Sequence, residues 1–499
     1  MIGLVEPGVL APSKVLGGLE PKEVLSYFET LANIPRGSEN EEEAANWVVA
    51  FAKRLGLEAV KDSMHCVLVR KPGQHGLENA APLILHGHLD MVCEKAEGVD
   101  FDFIKQPIEL VVEGDYISAK GTSLGADNGI GVSYILALLA STDTPHPPLE
   151  AVLTAMEEKG KVGAGQFDTS QLKGKRMIDF NWITDKEILA GCSGDVTFHV
   201  DIPAHWEAVP QSHNAAFSLR VRGLHGGHCE FDIQLERANA LQVLARAIND
   251  LQRVLDVRIE APFGGAQNNA IPADADCIVT LPLAQAEQAK AIIKKLDGDL
   301  KVEYDLADTG IRLEFESTNL PSRVFADEAG KRFARITMLI PNAVIAWNTH
   351  VPDRVSVSNN IGTARPIDSG VRLASTITAA LTSKKHEVLD KVRALAGMAG
   401  GGVTVEMFGL DAPEFPYRPD SALLATASRV YREVLNAEPS VEVSQCSLEL
   451  GMFSRRVPVE DIISIGTELQ ALHSPAEKVN HTSVARVWPL VQKVVSQLG

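Results

Sequence analysis

An α/β fold with a mostly parallel sheet is the class this sequence predicts, and three observations carry it. Short apolar runs alternate with stretches of helical periodicity through the first part of the chain. The run Leu83-Ile84-Leu85 is continuously apolar, as in a strand buried on both faces. It breaks into His86-Gly87-His88, which puts polar groups at the strand's C-terminal end, where open α/β sheets bind ligands.

The elements follow in order. Residues 21–31 place Val24, Leu25, Phe28 and Leu31 at helical spacing, with Pro21 near the helix start. Ile34-Pro35-Arg36-Gly37 ends that helix. Ser38 followed by Glu41 reads as a capping box for a second helix that Gly56 closes. Val67-Leu68-Val69 is a strand before the Lys71-Pro72-Gly73 turn, and the central strand follows. Residues 108–112 and 116–118 flank Glu113-Gly114-Asp115 as a hairpin. The Gly-rich stretch 121–131 leads into an apolar helix over 132–139. It lacks the Lys-Ser/Thr of a P-loop and the spacing of a dinucleotide fingerprint. Residues 150–156 form a strand that ends at Glu157-Glu158, and 175–182 form another with Asp179 and Asn181 on one face.

After about Gln211 the texture changes to α+β. Strands are expected at 217–221, 257–260, 276–281, 312–316 and 371–378, with helices at 238–251 and 284–296. A helix over 421–435, the strand Ile462-Ile463-Ser464-Ile465 and a final helix over 483–498 read as the return of the first domain. The expected division is therefore 1–210 and 403–499 for one domain, with 211–402 inserted. At 499 residues the chain exceeds one ordinary core, in line with this division.

Composition narrows the function classes. With 45% hydrophobic and 22% charged residues the chain is globular. A net charge of -18 opposes nucleic-acid binding, and no basic run argues otherwise. Residues 1–19 lack the pattern of a secretory signal, and no apolar run is long enough to span a bilayer, so no membrane partner is expected. Six scattered cysteines without a Cys-x-x-Cys pair fit a reducing compartment, and the cytoplasm is the expected location.

The candidate chemistry gathers at strand ends and helix starts: His88, Asp90, Asp127, Glu157, Glu158 and Asp179, joined by the late His473. Each has a plainer local reading. His88 could end a polar turn, Asp127 and Asn128 could cap a helix, and Glu157-Glu158 could be a solvated turn. As strand-end neighbours, the two glutamates are expected to point to opposite sides. Together, imidazoles and carboxylates suit zinc or another borderline divalent metal. Two metals sharing a carboxylate suit hydrolysis.

At this point the chain resembles a known family, the bacterial aminoacyl-histidine dipeptidases of the di-zinc superfamily that includes aminoacylase and carboxypeptidase G. The resemblance rests on Ile34-Pro35-Arg36-Gly37-Ser38, the stretch 86–92, the stretch 121–131, Glu157-Glu158, the stretch 223–233, Asn269-Ala270-Ile271-Pro272 and Ala471-Leu472-His473-Ser474-Pro475. It implies a zinc-peptidase α/β/α catalytic domain with an inserted α+β lid or dimerisation domain, and a homodimer. It implies two Zn2+ per chain, with Mn2+ or Co2+ as alternatives. The implied activity is hydrolysis of Xaa-His dipeptides by a water on the metals. His88 is the implied ligand of one metal, Asp127 the bridge, and Glu158 and His473 the ligands of the other. Glu157 is the implied general base, Asp90 the residue orienting His88, His228 the carbonyl-polarising histidine and Asn269 a substrate contact.

Three positions depart from the family. Its Asn-x-Asp falls on Asp179-Phe180-Asn181, leaving Asp179 as the expected replacement ligand. A lid arginine falls on Thr378, and a histidine near Glu449 falls on Gln445. These leave open a different small amide substrate, such as an N-acyl amino acid, or a member that binds without catalysis.

Overall fold

The computed structural model describes residues 6–456 and 459–499; the first five residues of the stretch without a signal pattern lie outside them. The chain divides into two units. One holds Met1–Cys192, Phe415–Ser444 and Leu448–Gly499, the other Ser193–Glu414 and Gln445–Ser447.

In chain order the first unit opens with α1 (Lys22–Ala32), α2 (Glu42–Arg54), β1 (Glu58–Lys61), β2 (Val67–Lys71), β3 (Leu83–His88), α3 (Ala126–Ala140), β4 (Leu149–Thr154) and β5 (Arg176–Trp182). The long strand β6 (Glu187–Pro203) begins in this unit and ends in the second. There follow β7 (Ala215–Arg222), α4 (Ala240–Gln252), β8 (Ala275–Leu281), α5 (Ala286–Glu303), β9 (Arg312–Thr318), α6 (Asp327–Leu339), β10 (Val355–Ile367), β11 (Gly370–Ala379), α7 (Thr382–Ala399) and β12 (Thr404–Phe408). The chain returns to the first unit with α8 (Ala422–Leu435), β13 (Asp461–Gly466) and α9 (His481–Ser496).

In the first unit β4, β3, β5 and β13 run side by side and parallel. Beyond β4, β2 and then β1 are added antiparallel. All six residues of β3 are buried. Leu83 and Leu85 pack in a core with residues of α1, α3 and α9. Ile84 is fully buried outside that cluster, so it faces the other side of the sheet. Burial on both faces is why the sequence is continuously apolar there. Helix α3 packs on β3 and β5 while α1 and α9 cover it, which accounts for its nearly unbroken apolar sequence. This layered α/β architecture matches the expected fold class.

The second unit is α+β. Strands β9, β7 and β8 pair antiparallel in that order, as do β10, β11, β6 and β12. The short strand Phe263–Gly264 pairs with both β8 and β10. Residues of α4, α5, α6 and α7 share its core.

One local expectation is corrected. Ser38 and Glu41 do not form a capping box. Helix α2 starts without a side-chain cap. Ser38 Oγ instead donates to Asp90 Oδ2 (2.8 Å), and Glu41 Oε1 accepts from the Met156 N–H (3.0 Å). Tertiary partners at the end of β3 and just after β4 outcompete the local motif.

Candidate metal centre

The parallel strands β3 and β4 end side by side, with His88 opposite Thr154. Their C-terminal ends therefore deliver His88 and the chain leading to Glu157 and Glu158 to one place. Met156 takes a left-handed conformation (φ 54°), so the chain has left the strand before the two glutamates. As a result Glu157 and Glu158 converge rather than pointing apart. Each offers an oxygen within 4.8 Å of a His88 nitrogen and of each other.

Asp127 comes from the start of α3. Its Oδ1 lies 3.0 Å from His88 Nε2 and its Oδ2 3.5 Å from His473 Nε2, one oxygen toward each imidazole. His473 Nε2 also stands 3.1 Å from Glu158 Oε1, and Asp127, Glu158 and His473 form a second group within 4.8 Å. Asp90 sits beneath. It is fully buried, accepts from the N–H groups of Glu157 (3.0 Å) and Glu158 (3.1 Å), and faces His88 Nδ1 at 3.4 Å.

The electrostatics follow from this crowding. Burial opposes ionisation of Asp127, but His473 and His88 hold its carboxyl well below the usual range. Asp127 and then Glu158 raise the His473 imidazole to about 10. Burial pushes the Glu157 carboxyl up to about 8; Glu449 and Glu158 add to the rise, and His88 opposes it. The donor set suits a divalent cation. Glu158 Oε1 is buried and makes no hydrogen bond, although His473 stands near it. A buried carboxylate oxygen is costly unless a cation satisfies it, either protonated His473 or a metal ion in its place. Imidazole nitrogens and carboxylate oxygens are the ligands that zinc and its neighbours take.

Asp179, the expected replacement ligand, joins neither group. It pairs with His86 in the β3–β5 register, one step below His88. Its Oδ1 lies 2.7 Å from His86 Nδ1, and its Oδ2 accepts from Ser464 Oγ and the Asn181 N–H. The other side of His86 meets Glu449 at 3.2 Å. Burial disfavours charge on His86, but Asp179 and then Glu449 raise it to about 9. Two residues further along β5, Asn181 Oδ1 accepts from Asn128 Nδ2 (2.7 Å). Asn128 does not cap α3: its side chain bonds Phe180, Asn181 and the His88 N–H.

The residue that does serve the α3 entry is Glu477, which the sequence reading missed. Gly125 stands at the N-cap without a side-chain cap, and Glu477 accepts the N–H groups of Leu124, Gly125, Ala126 and Asp127. The one sequence signal is negative: a helix entered through glycine leaves N–H groups that some distant acceptor must satisfy. In the sequence Arg36 stands out only as part of the Ile34-Pro35-Arg36-Gly37-Ser38 motif. It is buried and donates to the carbonyls of Leu89, Asp90 and Gly125.

His228 and Asn269 lie in the second unit. They are neighbours there, because His228 pairs with Ala270 and the Cys229 N–H donates to the Asn269 carbonyl. Burial lowers the His228 pKa. Nδ1 accepts from the Glu230 N–H (3.2 Å), so the neutral ring carries its proton on Nε2. Thr378 and Gln445 both meet the segment after His228. Thr378 Oγ1 donates to Glu230 Oε1 (3.2 Å), and Gln445 Nε2 donates to Gln234 Oε1 (2.8 Å).

Comparison with known proteins supplies the context. A family model described as peptidase family M20/M25/M40 matches residues 84–497. The cytosol non-specific dipeptidase of Escherichia coli is 30% identical over 486 residues, covering 97% of this chain and 99% of that protein. The aminoacylhistidine dipeptidase structure from Vibrio alginolyticus superposes with a TM-score of 0.89 at 30% identity, covering 97% of this chain and 98% of that one. An aminopeptidase structure from Bacillus cereus, 14% identical and covering 96% of this chain and 99% of that one, shares the fold with a TM-score of 0.56.

Proposed function

The chain belongs to peptidase family M20/M25/M40, and on that premise we propose that it is a metal-dependent dipeptidase acting on Xaa-His dipeptides. The observation that carries the reading is the pair of candidate groups that share Glu158: His88 with Glu157 and Glu158, and Asp127 with Glu158 and His473.

Asp127, Glu158 and His473 would hold one divalent cation, and His88 together with Asp127 would hold a second; two Zn2+ per chain would fit these donors. When bound, such ions polarise the scissile carbonyl and make a water acidic near neutral pH. Glu157 removes the proton from the attacking water and later passes it to the leaving amine. Its raised proton affinity suits both halves of that task. Asp90 fixes the peptide units of Glu157 and Glu158, so that base and ligand keep their spacing. In the second unit the Nε2–H of neutral His228 is suited to hydrogen-bond the substrate carbonyl oxygen. Asn269, next to it, is suited to a polar end of the substrate. The chain works in this reading as a cytoplasmic homodimer without nucleic-acid or membrane partners. Among the described residues no helix is long and apolar enough to cross a membrane.

One observation favours a second substrate class. Thr378 is engaged with Glu230 and supplies no cation for a free carboxylate. Another small amide, such as an N-acyl amino acid or a substrate without a free carboxylate, is then the alternative. The test is Glu157→Gln. We expect turnover to be abolished while metal content is unchanged; normal turnover would refute the assignment of the base.

A further inference from the structure

We propose that Arg36 and Glu477 are positioning residues that together set the spacing of His88, Asp127 and His473; the inference rests on the metal-dependent reading above.

Both are charged and nearly inaccessible, at 2% and 3% exposure. Neither reaches a ligand atom in the hydrogen bonds it makes; both hold backbone. Arg36 Nη1 donates to the carbonyls of Leu89 (2.9 Å) and Asp90 (3.2 Å), the residues directly after His88, and Nη2 donates to the carbonyl of Gly125. Glu477 lies four residues past His473. Its Oε2 accepts from Leu124 (2.8 Å) and Gly125 (3.0 Å), and its Oε1 from Ala126 (2.8 Å) and Asp127 (3.3 Å).

The three segments that carry the ligands are thus tied through one turn. Arg36 joins the end of β3 to the turn before Asp127, and Glu477 joins the same turn to the His473 loop. Gly125 is gripped from both sides, its C=O by Arg36 and its N–H by Glu477. It has φ 70°, and a Cβ there would stand 2.7 Å from Arg36 Nη2 and 2.6 Å from Met91 Sδ. A side chain there would be strained and would have to displace Arg36 or Met91.

Fold stability alone is a poor account of this pair. Removing a guanidinium and a carboxylate from water costs free energy that their attraction rarely exceeds, and apolar replacements are often as stable. A side chain at the N-cap would also satisfy the helix more simply. What the buried pair adds is direction: four N–H groups and three carbonyls, all in segments that place ligands. Partners of this kind behind metal ligands typically hold affinity and geometry together.

The test is titration of the metal-free full chain with Co2+, read by its visible absorption. Glu477→Gln and Arg36→Lys should bind Co2+ roughly 10- to 100-fold more weakly than the parent. Their visible bands should also be altered, while circular dichroism and cooperative unfolding of the metal-free chain are retained. If Glu477→Gln does not fold, Glu477→Asp decides: it keeps the charge, shortens the reach and should show the same weakening and altered band. A folded variant with parental affinity and an unaltered band would overturn the proposal and leave the pair as a structural element only. A parent chain that takes up no Co2+ would overturn the metal-dependent reading itself, and this inference with it.

Discussion

Replacing Asp90 with Asn removes one charge and almost no volume at the point where the site is braced. Asp90 accepts three hydrogen bonds: from the Glu157 N–H, the Glu158 N–H and Ser38 Oγ. An amide oxygen can keep two of them at neutral strength. Its NH2 turns a donor toward the third, leaving a buried donor unpaired. Such a donor costs about 1–3 kcal/mol, and each retained bond loses about 1 kcal/mol with the charge, so the loss in stability is roughly 3–5 kcal/mol. The same change frees the peptides of Glu157 and Glu158. A displacement on the order of 1 Å at a reacting group costs about 100-fold in rate. Urea unfolding of the metal-free protein measures the first effect, and kcat for a dipeptide measures the second. If Asp90→Asn unfolds within about 0.5 kcal/mol of the parent, the range of an inert surface change, and keeps parental kcat, the bracing role is wrong.

Away from the site, Glu29 accepts from Ser13 Oγ and from the N–H groups of Lys14, Val15 and Leu16. Burial opposes its charge, but these bonds hold its pKa below the usual 4.5. Its stabilisation is therefore complete above pH 4.5 and lost as the pH falls through the lower folded value. Glu29→Gln should cost about 1–3 kcal/mol at neutral pH and flatten the acid limb of a urea-midpoint profile; an unchanged profile would contradict this. At Gly131 a Cβ would lie 2.3 Å from the Phe180 carbonyl oxygen and 2.6 Å from Asn128 Oδ1. Gly131→Ala should cost about 1–3 kcal/mol by overpacking, and an unaltered Tm would show that the α3–β5 contact is looser than described.

How much of this was legible in the sequence depended on range. The apolar run 83–85 announced a strand buried on both faces, and its polar end announced the position of the site, because both are properties of consecutive residues. The depth of Asp179 was not legible. It follows from the pairing of His86 with Asp179 across β3 and β5, and inter-strand register leaves no trace in one sequence. The capping box at Ser38 was a correct local pattern overruled by Asp90 and Met156, which the fold brings near. Glu157 and Glu158 were read as strand residues with alternating directions. The left-handed Met156 ends that alternation before it reaches them. Arg36 and Glu477 sit in irregular segments, where no periodicity marks a buried side chain. Nor does any break announce the division of the chain after Cys192, since β6 runs straight through it.

The most direct test of the account is hydrolysis of Xaa-His dipeptides by the purified chain before chelation, after removal of bound metal, and after Zn2+ or Mn2+ is restored. The account predicts turnover that disappears with the metal and returns with it. Equal turnover in excess chelator, with metal absent from the protein, would contradict it.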